Sequence, residues 1–355
     1  MSKQTALGHL GLKRPAAIGH TEYSIEYHRR FLADRTGLSA RHPELLARGY
    51  DALGIDLLWH TDDGLIDWAQ AGRVTDMGHA AWSPDGSDLR EPEESPFSGE
   101  KEVWAFDAVG EYGLPDPGRQ TAAYAESLRR MSGQFSGQLV PGGIYRTIVS
   151  GAAAAFGWEN LLLAASDPAK MERVFDSFFR RSIFFLSAWA RTDAEAVIVH
   201  DDFVWESGPF MNLDIYRCIL LPRYRHLFSI LHDAGKKAIF CSDGDFREFA
   251  EDLIAAGADA LIVEPSVFPF VAAHFLNDVC LIGSMVDCRD LADGKWEKVR
   301  ADIDRTLELF AGAKGAIFAV GNHLAPSVSD EMLGRFFDYL LPRLQPGSCQ
   351  SLSDA

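Results

Sequence analysis

The sequence predicts an α/β chain, a (β/α)8 TIM barrel with an inserted polar excursion in its N-terminal third. Three observations carry that prediction. The C-terminal half repeats one rhythm, a short β-branched run, a polar or glycine-containing turn and an amphipathic helical stretch. The runs end in ionisable residues, as barrel strands do at a working mouth. The glycine fingerprints GxGxxG and GxxxxGK[ST], which a doubly wound nucleotide-binding sheet would place after a strand, do not occur where that rival fold needs them.

In chain order, residues 52–60 and 73–81 read as strands and 142–150 as a third, and five βα units follow. Strand 194–202 leads to a helix over 212–234, 237–241 to one over 246–256, and 260–265 to one over 267–276. Strand 279–286 precedes a helix over 295–311, and 315–320 precedes a last helix over 329–344. Each crossover is long enough to return the chain in the same direction, so the sheet is parallel. Residues 82–118, rich in Pro, Gly, Glu and Asp, are too long for a simple connection and read as an excursion above the barrel. The whole of 1–355 is expected to form a single barrel domain, with 1–20 as an N-terminal extension and 345–355 as a flexible tail.

Composition sets the outer limits. A chain of 355 residues, 47% apolar, is long enough for a large core. A formal charge of −17 argues against a nucleic-acid partner, which needs a cationic surface to displace counterions. The longest apolar runs fall short of the roughly 20 residues that cross a bilayer, and the N-terminus has no leader pattern, so a cytoplasmic location without a membrane partner is expected. Five cysteines, widely spaced and without a CxxC pair, suit reduced thiols better than a disulfide framework.

The candidate chemistry sits at the strand ends. These offer His60, Thr61, Asp62 and Asp63, then His200, Asp201 and Asp202, then Cys241, Ser242 and Asp243, then Glu264, Asp287 with Cys288, and Asn322 with His323. A carboxylate after a strand often does no more than cap the next helix. Ionisable groups on six strand ends in succession point instead to one shared cavity. Asp202, Asp243 and Glu264 are the candidate catalytic residues; alternation along a strand lets only one of Asp201 and Asp202 face it. Paired carboxylates in different environments suit acid/base work. Cys241, Glu264 and His323, with Asp243 nearby in sequence, offer sulfur, oxygen and nitrogen donors of the kind zinc accepts. His60, Asp62, Tyr145, Trp205 and Asn322 are the candidate substrate-binding residues, with Trp205, Phe210 and Tyr216 able to floor an apolar pocket. No GxSxG elbow supports a serine nucleophile.

These segments resemble a family. Asp202, the run Leu220-Leu-Pro-Arg-Tyr-Arg-His-Leu-Phe228, His232-Asp-Ala-Gly-Lys236, Cys241-Ser-Asp-Gly244, the stretch 282–294 and Gly321-Asn-His-Leu-Ala-Pro-Ser-Val-Ser329 together resemble the uroporphyrinogen decarboxylase superfamily over residues 142–344. The resemblance implies a barrel with its site in the mouth and one of two activities. One is cofactor-free decarboxylation of a uroporphyrinogen-like tetrapyrrole in haem biosynthesis. The other is zinc-dependent methyl transfer between a small methylated compound and a corrinoid protein or a thiol. The decarboxylases carry an arginine-rich N-terminal motif, whereas residues 18–30 here offer only Arg29 and Arg30. The methyltransferases carry His-x-Cys where this chain has Cys241-Ser-Asp243, and a later Cys where it has Asn322-His323. The resemblance therefore implies a permuted ligand set, with Asp202 and Glu264 orienting or protonating the substrate. No DxHxxG corrinoid signature is present, so a corrinoid would enter only on a separate partner protein. The expectation is a methyltransferase that can form a homodimer, with the decarboxylase as first alternative and a non-catalytic binding barrel as second.

Overall fold

The structure is a computed structural model that describes residues 2–77 and 94–345. Its centre is a parallel sheet of β1 (Gly19–His20), β2 (Gly142–Ile144), β3 (Ala196–His200), β4 (Lys237–Cys241), β5 (Ala260–Ile262), β6 (Cys280–Ile282) and β7 (Ala316–Phe318), in the order β1-β7-β6-β5-β4-β3-β2. The remaining gap, between β1 and β2, is closed by residues 56–58. The Asp56 amide donates to the His20 carbonyl at 2.8 Å, the Leu139 amide to the Asp56 carbonyl at 2.7 Å, and the Leu58 amide to the Leu139 carbonyl at 2.9 Å. Seven strands and this one short stave complete the predicted (β/α)8 barrel.

The barrel interior is packed, not hollow. Ile198, Ile239, Ile262, Ile282 and Ile317 fill it together with Leu57, Leu139, Cys241 and Cys280, all fully or nearly fully buried. β-branched side chains suit this place because they stack in layers along short strands buried on both faces. Residues 2–20 are not an appendage. The helix Lys3–Leu10 inserts Ala6 and Leu10 into the same interior cluster and closes its lower end, and Gly19–His20 is the first strand. A two-residue strand leaves no alternation to read in sequence, which explains why an extension was expected there.

The five C-terminal βα units stand where the periodicity places them. The N-terminal third needs three corrections. The helix Leu45–Ala52 occupies the start of the expected 52–60 strand, leaving only the 56–58 stave. Residues 73–77 are not a strand, and Thr75 instead ties the segment to the Ala154 carbonyl of the helix Val149–Ala164; 78–81 lie outside the described residues. The segment expected as a polar excursion is described only over 94–118. There it forms helices Glu100–Trp104 and Ala108–Tyr112 and begins Pro117–Gln134. Phe97 and Phe106 pack edge-on against Phe156, and Phe106 stacks on Phe178, so a few aromatics in a polar stretch anchor it to the helices Val149–Ala164 and Pro168–Ala190. Among the described residues, no helix is long and apolar enough to cross a membrane.

Candidate active site

Strand alternation decides which groups reach the mouth. Ile198 points into the barrel, so His200 and Asp202 do as well, while Asp201 points outward between them. On β4 the inward positions are Ile239, Cys241 and then Asp243, and the parallel register sets Cys241 beside His200. Asp201 is spent structurally: its carboxylate accepts the amides of Ile148, Val149 and Ser150 at 3.1, 2.8 and 2.6 Å, capping the helix Val149–Ala164, and the Tyr224 hydroxyl at 2.7 Å.

Asp202 is the hub. One oxygen accepts from His200 Nε2 and from the Asp243 amide, both at 3.0 Å, and the other accepts the Tyr145 hydroxyl at 2.9 Å. The Tyr145 ring meets the His200 ring edge-on, with centroids 4.4 Å apart. Asn322, held in the left-handed region at φ 63°, directs its amide to Asp243 at 3.4 Å. Gly244 (φ 90°) makes the adjoining turn possible, because a Cβ there would lie 2.6 Å from the Trp205 backbone. Trp59, Asp243, Glu264 and Asn322 line a small, partly enclosed pocket at the mouth. Tyr23, 5.3 Å from Trp59 between centroids and 43% exposed, forms its rim.

Electrostatics divides these acids by role. Burial opposes ionisation of Asp202, but His200 outweighs it and holds the carboxyl down at about 2. Burial likewise opposes charge on His200, but Cys241 and Asp202 raise the imidazole well above its usual range. Cys241 itself is pushed up to about 11 by burial, so it is a thiol at neutral pH and the Asp202 carboxylate sustains the imidazolium. Burial and then the Asp202 charge lift Asp243 to about 6. Burial, followed by Asp243 and Asp287, lifts Glu264 to about 8, so it carries a proton at neutral pH.

That proton has a measurable consequence. A carboxyl near 4.5 in the unfolded chain and about 8 in the folded one binds more protons when folded, so its stabilising contribution is full below pH 4.5 and is lost as pH rises to 8. The slope is at most about 1.4 kcal/mol per pH unit. Glu264→Gln stays neutral throughout. Thermal midpoints of variant and parent should coincide below pH 4.5 and separate, variant higher, up to pH 8; parallel curves across that range would remove the proton from Glu264.

The structure sorts the predicted residues. Asp202, Asp243, Glu264, Tyr145 and Asn322 converge on the mouth. Trp205, 41% exposed, lies over the Gly244 turn and packs on Phe210 with centroids 5.1 Å apart. Asp62 accepts the Gly64 amide at 2.9 Å, and His60, adjacent to the inward Trp59 and facing Arg130, points out of the barrel. The expected zinc set of Cys241, Glu264 and His323 does not come together. His323 lies beside Tyr23, with centroids 6.3 Å apart, and near His28; Cys241 is a packed, protonated thiol; only Glu264 reaches the pocket. The donor group that forms among the described residues is His200, Asp202 and Asp243, whose ligand atoms lie within 4.8 Å of one another. One nitrogen and two carboxylates fit a divalent cation such as zinc once the His200 proton is displaced. His200 was not among the predicted site residues. Its signal was the His-x-Asp spacing at a strand end, which puts both side chains on the inward face.

Comparison with known proteins gives three results. The family model described as uroporphyrinogen decarboxylase (URO-D) matches residues 86–340. No curated protein matches the chain. Among solved structures, a methyltransferase from Methanosarcina mazei is similar at 16% identity and a TM-score of 0.68, over 97% of this chain and 98% of that one. A D-psicose 3-epimerase from Clostridium cellulolyticum H10 is similar at 8% identity and a TM-score of 0.39, over 91% and 95%.

Proposed function

Because this chain belongs to the uroporphyrinogen decarboxylase family, we propose that it is the methyltransferase kind of member, taking a small methylated compound in its barrel mouth and delivering the methyl group to a thiol or a separate corrinoid protein. The observation that carries the reading is a pocket lining that holds carboxyl groups and no arginine or lysine. Asp243 and the protonated Glu264 line the small pocket, Asp202 beside it is paired with His200, and Arg289 nearby is already held by Asp287 at 2.8 Å. A tetrapyrrole with many carboxylates would be costly to hold there, since the lining offers it no lysine or arginine. A small neutral or cationic methyl compound meets no such cost. The fold shared with the Methanosarcina mazei methyltransferase agrees with this reading.

His200, Asp202 and Asp243 would hold a zinc ion, whose chemistry as a Lewis acid is to polarise the heteroatom that carries or receives the methyl group. The chain's own groups do the rest. Tyr145 and the Asp243 amide fix the Asp202 carboxylate, so its position does not depend on the substrate. Glu264 holds a proton at the pocket wall, where it can pass to a departing heteroatom. Trp59 and Tyr23 shield the reacting atoms from water. Cys241 stays protonated and packed, which leaves it out of the nucleophile's role.

The test is elemental analysis of the purified protein beside its His200→Ala variant. Stoichiometric zinc in the parent and at least a tenfold weaker affinity in the variant, with loss of methyl transfer, are expected, since removing one donor of three costs at least about that much. Metal-free parent protein that turns over a uroporphyrinogen would instead establish the decarboxylase.

A further inference from the structure

Tyr145 holds the Asp202 carboxylate, yet the strand ladder does not hold Tyr145. Gly143 pairs in register with Ile198, which fills the barrel interior, so Tyr145, two residues on, faces inward at the level of His200. β2 itself ends at Ile144. A backbone amide just past a strand needs another acceptor, and here the acceptor is a side chain. The Tyr145 amide donates to Asp63 Oδ1 at 2.7 Å, and the Arg146 amide donates to the same oxygen at 3.1 Å.

Asp63 can serve this way because the chain that leaves the 56–58 stave is tied down on both sides of it. Before it, the Asp62 amide donates to the Gly143 carbonyl at 2.9 Å, and the Tyr124 hydroxyl donates to the Asp62 carbonyl at 3.0 Å. Tyr124 stacks on Trp189 with centroids 4.0 Å apart, and Trp189 Nε1 donates to the same Gly143 carbonyl at 3.1 Å. After it, the Leu65 amide donates to Gln120 at 3.0 Å. The neighbouring carboxylates are aimed elsewhere. Asp62 accepts the Gly64 amide, and Asp201 caps the helix Val149–Ala164. Arg146 Nε stands 3.8 Å from the second Asp63 oxygen, so the closest partners of Asp63 are the two amides. A small swing of the Tyr145 peptide is magnified at the far end of its ring, where the hydroxyl meets Asp202 at 2.9 Å.

We propose that Asp63 is a positioning residue of the active site: it fixes the Tyr145 peptide, and with it the phenol that orients the Asp202 carboxylate. Its effect on turnover rests on the methyl-transfer reading, whereas the placement of Tyr145 can be tested without it. Asp63→Ala removes the acceptor; Asp63→Asn removes the charge and keeps an oxygen for both amides. A crystal structure of the full chain with Asp63→Ala should show the Tyr145 hydroxyl out of hydrogen-bonding reach of Asp202, and one with Asp63→Asn should show it in place. In methyl transfer, Asp63→Ala should lower kcat about 10- to 100-fold with KM changed by less than about threefold, and Asp63→Asn should restore kcat to within about threefold of the parent. Added to Tyr145→Phe, Asp63→Ala should cost less than about twofold more, since both act through one hydroxyl. Tyr145 unmoved in Asp63→Ala, or a loss in Asp63→Asn as large as in Asp63→Ala, would overturn the proposal. Displacement of Tyr145 beside a parent that moves no methyl group would support Asp63 in this role and remove the methyl-transfer reading alone. Asp63→Ser, polar but shorter by one atom, takes the place of Asp63→Ala where that variant does not fold.

Discussion

Asp243→Asn should lower kcat/KM for methyl transfer by about two to four orders of magnitude while leaving the thermal midpoint close to that of the parent. The substitution keeps the shape of a side chain whose surroundings are fixed by backbone. The Asp243 amide still donates to Asp202, and Gly244 still makes the turn. What disappears is the charge that burial and Asp202 hold near a pKa of about 6, together with one of the three donors the mouth offers a cation. Activity should fall with metal content, and Asp202 should become harder to protonate, since a like charge beside it is removed while its partner His200 is untouched. Steady-state kinetics, elemental analysis and a melting curve on one preparation check the three parts. Unchanged turnover would place the chemistry elsewhere on the chain.

The C-terminal half of the fold was legible because its strands are short β-branched runs separated by amphipathic helices, and a parallel barrel buries such strands on both faces. The N-terminal third was not, for a definable reason. β1 spans Gly19–His20 and the closing stave only residues 56–58, too short for a two-residue period to show, and both are held by pairing with neighbours distant in sequence. Between the stave and β2, the long helix Pro117–Gln134 carries an apolar stripe that answers to the helix Pro168–Ala190, not to the sheet. Phe97 and Phe106, isolated in an acidic stretch, gave no periodic signal, although they anchor that segment.

The site was legible to the level of strand ends and no further. Carboxyl-terminal placement brought Asp202, Asp243, Glu264 and Asn322 to one opening, as the run of ionisable residues predicts. Which donors meet depends on depth within the barrel and on inward or outward aim. Cys241 sits one layer below Asp243 and packs among isoleucines, and His323 follows a residue with positive φ, which turns it toward Tyr23 and His28. Neither displacement has a signature in residue type. His200 was visible in the sequence, but the imidazole of a strand's last residue acquires its importance only from the cross-strand Cys241 and the in-strand Asp202.

The largest loss of stability is expected at Asp201, the neighbour that never reaches the pocket. Asp201→Ala leaves three amides at the start of the helix Val149–Ala164 and the Tyr224 hydroxyl without an acceptor in a dry interior. Each orphaned group costs about 1–3 kcal/mol, and water entering the vacated space recovers part of the sum, so a loss of about 3–5 kcal/mol is expected. Asn at this position should lose less, because Val149 and Ser150 donate to the same oxygen, which an amide retains, while only Ile148 and Tyr224 face the new NH2 group. Denaturant unfolding should therefore rank parent above Asp201→Asn above Asp201→Ala. Asp202 remains hydrogen-bonded to His200, Tyr145 and the Asp243 amide in both variants, so kcat at a temperature where they are folded should stay within a few-fold of the parent. An Asp201→Ala variant as stable as the parent would show that the cap is replaceable by solvent; one that is stable but inactive would move Asp201 from the scaffold into the chemistry.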